Sequence, residues 1–409
     1  MKQPIQWVRN INVNNEINQI GFDYFNLDEM EQVRRFHRTI PQYSETPLRR
    51  LEHFANELGL NEVYVKDESS RFGLNAFKVL GASYAICKRL AQTLNQNIET
   101  IDFGYLQAPE RKAQLPDLKF AAATDGNHGK GVAWVAKQLG YPATIHMPKG
   151  TTPERCQNIR DLGSEVVVTD RNYDDTVNRL AELADAHNWL MIQDTECLGC
   201  REVPLWIMQG YGTMAVEVLN QLNGVRPTHI FLQAGVGAFA AVMTFIFKTF
   251  FKEAPPLIII VEPDQADCFY RSIRSGREIA VTDAMNSIMA GLCCGVPNPV
   301  SWQILKEQGD YFVSAPDWVT ANGMRILGNP LPGDPAVTSG ESGAVAIGLL
   351  AYLAQDPALK TALQLDGASK VVTFSTEGDT DQTMYRRIVW YGAYPDEREA
   401  IRYGDGLGK

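Results

Sequence analysis

An α/β protein with two doubly wound parallel sheets is what this 409-residue sequence predicts. Three observations carry that expectation. Short apolar runs rich in β-branched residues alternate with helical patterns along most of the chain, as a parallel sheet covered by helices on both faces requires. The runs number nine, too many for one small sheet. Length agrees, because an ordinary domain holds ~150 residues.

Taken in order, the opening forty residues are polar without a clear period and read as an arm lying on the body or on a partner subunit. The strands expected next are NEVYVKDE (61–68), KFAAAT (119–124), ATIHMP (143–148), EVVVTD (165–170) and LMIQD (190–194). HIFLQAG (229–235), LIIIVEP (257–263), YFVSAP (311–316) and KVVTFST (370–376) complete the set. Between them HGKGVAWVAKQLG (128–140), DDTVNRLAELADAHN (174–188) and SGAVAIGLLAYLAQ (342–355) repeat apolar residues every three or four positions, the mark of a helix with one buried face. Residues 95–118 are polar, hold two prolines and break the alternation, so they read as a surface insertion. The expected division is a large domain of residues 1–85 and 196–409, with residues 86–195 as a small mobile domain.

Composition narrows the function. Thirty-eight Lys and Arg against 48 Asp and Glu give a net charge of −10, which disfavours nucleic acid or an anionic membrane as partner. Small molecules and copies of the same chain are the expected partners. No apolar core of signal-peptide length opens the sequence. The longest low-polarity stretch, Ala234 to Phe247, is shorter than the ~18–20 residues needed to cross a bilayer. The expected location is the cytoplasm. Seven cysteines, odd in number and widely spread, do not make a disulfide scaffold. Cys197 and Cys200 lack a second pair or a histidine at zinc spacing, so they read as small buried thiols and no metal is expected. Cys268 and Cys294 pair only if the fold brings them together.

Four segments stand where strands end, the edge at which open α/β sheets bind ligands. In KDESSRFGLNAFKVLGASYA (66–85), Lys78 sits at the mouth of a helix between Phe77 and Val79, where desolvation frees an amine to form a Schiff base. In ATDGNHGKGVAWVA (123–136), Asp125 and Asn127 open a helix whose amides attract anions. In LQAGVGAFAAVM (232–243), Gly235, Val236, Gly237 and Ala238 form a backbone cradle. It lacks the third glycine and the downstream acid of a dinucleotide site, so it suits a single phosphate. In VVTFSTEGDTD (371–381), Ser375 and Thr376 offer a hydroxyl that hydrogen-bonds a ring nitrogen without protonating it. Each segment alone has an ordinary use as a cap or turn. Together they describe one cofactor, pyridoxal 5'-phosphate.

The chain also carries KDESSRFGLNAFK (66–78), TDGNHGKGVAW (124–134), IHMPKG (145–150), NYDDTV (172–177), WIMQGY (206–211), QAGVGA (233–238), IIVEPD (259–264), IMAGL (288–292), GESGAV (340–345) and STEGDTD (375–381). In these it resembles the diaminopropionate ammonia-lyases, within the tryptophan-synthase-like, fold-type II group of pyridoxal phosphate enzymes. Asp125 stands where serine and threonine dehydratases of that group carry a hydroxyl.

The resemblance implies that Lys78 joins the cofactor, Asn127 contacts the phenolic oxygen, Gly235 to Ala238 hold the phosphate, and Ser375 or Thr376 faces the pyridine nitrogen. The implied reaction is α,β-elimination from 2,3-diaminopropionate, giving pyruvate and two ammonia molecules. Lys78 is the expected base on one face and Asp125 on the other, which lets one site accept both D and L substrates. Asp125 also suits the substrate's β-ammonium group, which a hydroxy-amino acid lacks. Asp194 matches a second acid of the family and assists proton transfer, or else serves as a cap or ion-pair partner. A homodimer is implied as well. The alternative is a serine or threonine dehydratase on the same fold.

Overall fold

The computed structural model describes residues 5–14, 18–124, 126–195, 202–282 and 285–396. Eleven strands form in chain order: β1 (Gln6–Arg9), β2 (Leu48–Arg50), β3 (Glu62–Asp67), β4 (Phe120–Ala123), β5 (Ala143–Met147), β6 (Glu165–Val168), β7 (Leu190–Met191), β8 (His229–Gln233), β9 (Leu257–Pro263), β10 (Tyr311–Ala315) and β11 (Lys370–Ser375). They make two sheets. A seven-stranded sheet has the order β1-β10-β9-β8-β11-β3-β2, and a four-stranded sheet has the order β6-β5-β4-β7.

All nine expected runs are strands, and every pair among them is parallel. The two additions are antiparallel edges of the large sheet, β1 on β10 and β2 on β3. The opening segment is therefore more than an arm, since it supplies an edge strand and the helices Gln19–Phe25 and Leu27–His37. The latter buries Met30, Val33 and Phe36. The segment 95–118 also packs inward, burying Ile98, Phe103 and Leu106 from short turns.

Central strands are dry on both faces. Ile258, Ile259, Ile260 and Val261 of β9 are all fully buried, each contributing about 1.5–3 kcal/mol of apolar transfer. Helix Glu202–Gln221 packs on helix Val79–Thr93. Their backbones cross so closely that a Cβ at Gly210 would lie 2.4 Å from the carbonyl oxygen of Leu80, so that crossing requires glycine.

A buried ionic network anchors the start of the segment that leads to Lys78. Glu217 of helix Glu202–Gln221 accepts from Lys66 Nζ at 2.6 Å and from Arg71 Nη2 at 2.7 Å. Arg71 also donates to Glu68 at 2.8 Å, and the side chains of Lys66, Arg71, Glu68 and Glu217 are all completely buried. Two cations facing two anions leave no net charge in the core, which is the condition for tolerating them there. The network ties β3 and the turn after it to the helix behind.

Candidate active site

Five strand ends, those of β3, β4, β7, β8 and β11, converge on one cavity between the two sheets. The segment after β3 carries Lys78 to the start of helix Val79–Thr93, and the loop after β4 leads to Asn127, the first residue of helix Asn127–Leu139. The turn after β8 supplies Gly235, Val236 and Gly237 before helix Ala238–Phe250, and the end of β11 supplies Thr376. Lys78, Asn127, Asp194, Gly235, Val236, Gly237, Ala238 and Thr376 all line the cavity. Ser375 does not. It is fully buried, and its hydroxyl is 2.8 Å from Ser339 Oγ. Asp125, Cys197 and Cys200 lie outside the described residues.

Lys78 is not the isolated amine in an apolar wall that its neighbours suggest. Its Nζ donates to Asp194 Oδ2 at 2.9 Å, and Asp194 is 2 % exposed. Burial alone raises a carboxyl. Here the ammonium of Lys78 and the nearby His128, with hydrogen bonds from Lys78 and Tyr173, outweigh it and hold Asp194 well below the usual carboxylate range. Asp194 is therefore ionised throughout the neutral range. Tyr173 Oη donates to its other oxygen at 3.1 Å, and Gln193 Nε2 donates to Tyr173 at 2.8 Å. These bonds turn the β7 strand end toward Lys78.

Asn127 donates its amide to Glu377 Oε2, and Ser342 N donates to Glu377 Oε1 at 2.8 Å. Beside it, burial and the carboxylate of Glu377 push Glu341 up to about 8. The small-sheet layer meets the loop after β11 at further points. Thr152 Oγ1 donates to Asp381 at 3.0 Å and Asn158 Nδ2 to the carbonyl of Thr380 at 3.3 Å.

The cradle is built for close approach. Gly237 caps its helix at φ +86°, and a Cβ there would lie 2.4 Å from Phe269 Cζ. A side chain is excluded by both the backbone conformation and the neighbouring ring. The first amides of the 13-residue helix Ala238–Phe250 face this turn and favour an anion.

Comparison with known proteins settles the family. The profile described as "Pyridoxal-phosphate dependent enzyme" matches residues 40–377. The diaminopropionate ammonia-lyase of Salmonella typhimurium is 48% identical over 370 residues, 88% of this chain and 92% of that protein. The chain belongs to the diaminopropionate ammonia-lyase family of pyridoxal-phosphate dependent enzymes. The crystal structure of the Escherichia coli family member in complex with D-serine superposes with a TM-score of 0.90 at 45% identity, covering 96% of this chain and 98% of that one. The same enzyme in complex with an aminoacrylate-PLP azomethine reaction intermediate gives 0.89 at 44% identity, covering 96% and 99%.

The cavity's own chemistry suits the family's cofactor. Tyr211 Oη and Gln233 Oε1 are buried in its wall without a hydrogen-bond partner among the described residues. Such orphaned atoms call for a polar occupant. A glycine cradle for a phosphate, an amine for an aldehyde and a neutral hydroxyl on Thr376 complete the donor set. The open space is only about 50 Å³, so a ring-sized group requires Lys78 to swing or the walls to part. Tyr211, Gln233 and Glu377 escape a reading by motif alone, although each lies within a segment shared with the family. Tyr211 ends WIMQGY, Gln233 opens QAGVGA and Glu377 follows Thr376. Cys268 and Cys294 are not joined to each other by a disulfide.

Proposed function

We propose that this enzyme eliminates ammonia across the α and β carbons of 2,3-diaminopropionate, accepting both D and L forms and yielding, with water, pyruvate and two ammonia molecules. The observation that carries the proposal is the Lys78–Asp194 ion pair, 2.9 Å long, in the same cavity as the glycine cradle. The similarity to the diaminopropionate ammonia-lyases above supports the substrate, and the aminoacrylate complex of the Escherichia coli enzyme supports the elimination.

In this reading Lys78 holds the cofactor, the amides of Gly235 to Ala238 hold its phosphate, Asn127 faces the phenolic oxygen and Thr376 the ring nitrogen. What pyridoxal phosphate supplies when bound is an electron sink that makes the substrate's α-proton removable. Lys78, freed as an amine, takes that proton on its own face, and Asp125 serves the opposite face. Asp194 stays ionised beside Lys78 and stabilises its ammonium form, so the proton stays at Nζ until it is passed on. Asp125 further pairs with the β-ammonium group that serine and threonine lack. Glu377 fixes the Asn127 amide so that its carbonyl and amide ends do not exchange.

We also propose that residues 86–195 move as a small domain against residues 1–85 and 196–409, in a homodimeric cytoplasmic enzyme. The narrow cavity supports the motion, and opening would break the hydrogen bonds from Thr152 and Asn158 to the loop after β11. Among the described residues no helix is long and apolar enough to cross a membrane.

Steady-state assay of D- and L-2,3-diaminopropionate against D- and L-serine and L-threonine tests the proposal. The expected result is pyruvate from both diaminopropionate enantiomers with kcat/KM well above that for the hydroxy-amino acids. A preference for serine or threonine would assign a dehydratase instead.

A further inference from the structure

A second cavity, of about 670 Å³, shares no lining residue with the first. It opens at the carboxyl ends of β9 and β10, on the same edge of the large sheet as the cradle but farther along it. Its walls come from Asp264 after β9, Ser314 of β10, Gln6 of the edge strand β1, and helix Cys268–Ser275. Its volume lies within the ~300–1,000 Å³ of small-molecule sites.

The charges in its wall do not cancel in place. Asp267 is satisfied, accepting from Arg271 Nε at 2.7 Å and Ser314 Oγ at 2.8 Å. Asp264 is not. It is half-buried and accepts a side-chain hydrogen bond only from Gln265, at 3.1 Å, with no cationic partner among the described residues. Burial, reinforced by Asp317 and Asp267 and only partly offset by Gln265, pushes its carboxyl above the usual range. Arg274, an exposed residue of the same helix Cys268–Ser275, donates to Tyr270 Oη at 3.2 Å and has no carboxylate partner among the described residues. Arg271 uses only its Nε toward Asp267. Half-buried Asp264 thus lacks a cation, and exposed Arg274 lacks an anion, among the described residues.

We propose that this cavity is a second, non-catalytic binding site for an α-amino acid zwitterion, its ammonium group on Asp264 and its carboxylate on Arg274 and the free edge of Arg271. A dicarboxylate leaves Asp264 facing a like charge, and a diamine leaves both guanidinium groups unmatched. A ligand carrying both an ammonium and a carboxylate satisfies both groups. Because the site lies outside the catalytic cavity, it binds amino acid without consuming it.

Alanine is the probe, because it has no leaving group on its β carbon. Equilibrium dialysis of alanine, D and L, against the holoenzyme is run with the cofactor's visible spectrum recorded in parallel. The expected result is an equivalent of bound alanine per chain beyond any that the spectrum reports. Asp264→Asn and Arg274→Gln should each weaken this silent binding about tenfold or more, the loss expected when one charged hydrogen-bond partner is removed. The spectral response of both variants should persist, showing that they fold. On the parent enzyme alaninol, which lacks the carboxylate, should not displace the silent alanine. Absence of silent binding, silent binding untouched by both substitutions, or displacement by alaninol as effective as by alanine itself would each overturn the proposal.

Discussion

Replacing Glu217 by glutamine tests the account of the buried network most severely. Glu217 accepts from Lys66 Nζ at 2.6 Å, Arg71 Nη2 at 2.7 Å, Arg71 Nη1 at 2.9 Å and Tyr43 Oη at 2.7 Å. The substitution keeps the shape but removes one of two negative charges facing two fully buried cations. Arg71 retains Glu68, whereas Lys66 keeps only neutral acceptors, Thr46 O at 2.6 Å and Gln221 Oε1 at 3.0 Å. An uncompensated buried charge costs about 3–5 kcal/mol, which for a chain of this length is a fall in Tm of roughly 3–6 °C. Scanning calorimetry of the holoenzyme at pH 7 measures it. The double variant Glu217→Gln with Lys66→Met should recover much of the loss, because the orphaned charge is gone. Burial raises the Glu217 carboxyl, but Arg71 and Lys66 more than reverse this and bring it from 4.5 to about 2. Its contribution is therefore complete above about pH 4.5 and lost as the pH falls toward 2. A Tm unchanged at pH 7, or a double variant no better than the single one, would mean that Glu217 does not neutralise the buried cations.

Further predictions concern other buried groups and the cavity. Glu262 is fully buried, and burial pushes it up to about 8 despite amide bonds from Phe269 and Tyr270. The folded state therefore holds a proton that the unfolded chain releases above about pH 4.5, so stability is lost between pH 4.5 and 8. Glu262→Gln should gain Tm relative to the parent as the pH rises from 5 to 8, and a constant difference would count against this. His37 is buried and lowered to about 3, first by burial and then by Arg71. The unfolded chain takes up a proton below about pH 6.5 that the fold refuses, costing about 2 kcal/mol at pH 5. His37→Gln should flatten the fall of Tm between pH 7 and 5, as read by calorimetry. Gly237→Ala places a Cβ against Phe269 at φ +86° and should weaken cofactor binding about tenfold, measured by fluorescence titration of the apoenzyme. Asp194→Asn should lower kcat about a hundredfold or more while cofactor still binds, measured as pyruvate release alongside the visible spectrum.

The fold was legible where burial on both faces leaves a continuous apolar run, as in LIIIVEP and KVVTFST. The edge strands were not. QWVR and LRR pair on one side only and point charged side chains at solvent, so neither a run nor an alternation marks them. Helix Leu27–His37 was hidden because Arg34 and His37, polar in the sequence, are buried by ion pairs and hydrogen bonds. LMIQD keeps only two residues as strand, because Gln193 and Asp194 turn to serve the site.

At the site, Lys78, Asn127, Thr376 and the cradle were legible because each follows a strand, and strand ends share one edge. The pairing of Lys78 with Asp194 was not, since 116 positions separate them and only the facing sheets bring them together. Nor was Tyr211, a single hydroxyl in an otherwise apolar helix face. The choice of Thr376 over Ser375 at the cavity wall depends on strand pleat, which points Ser375 toward Ser339 instead.

The most direct test of the central reading measures ammonia and pyruvate together from each enantiomer of 2,3-diaminopropionate, with the holoenzyme and with Lys78→Ala. Two ammonia for each pyruvate are expected from both enantiomers, and neither product nor the lysine-bound cofactor absorbance from Lys78→Ala. Full activity in that variant, or no pyruvate from either enantiomer with the holoenzyme, would contradict it.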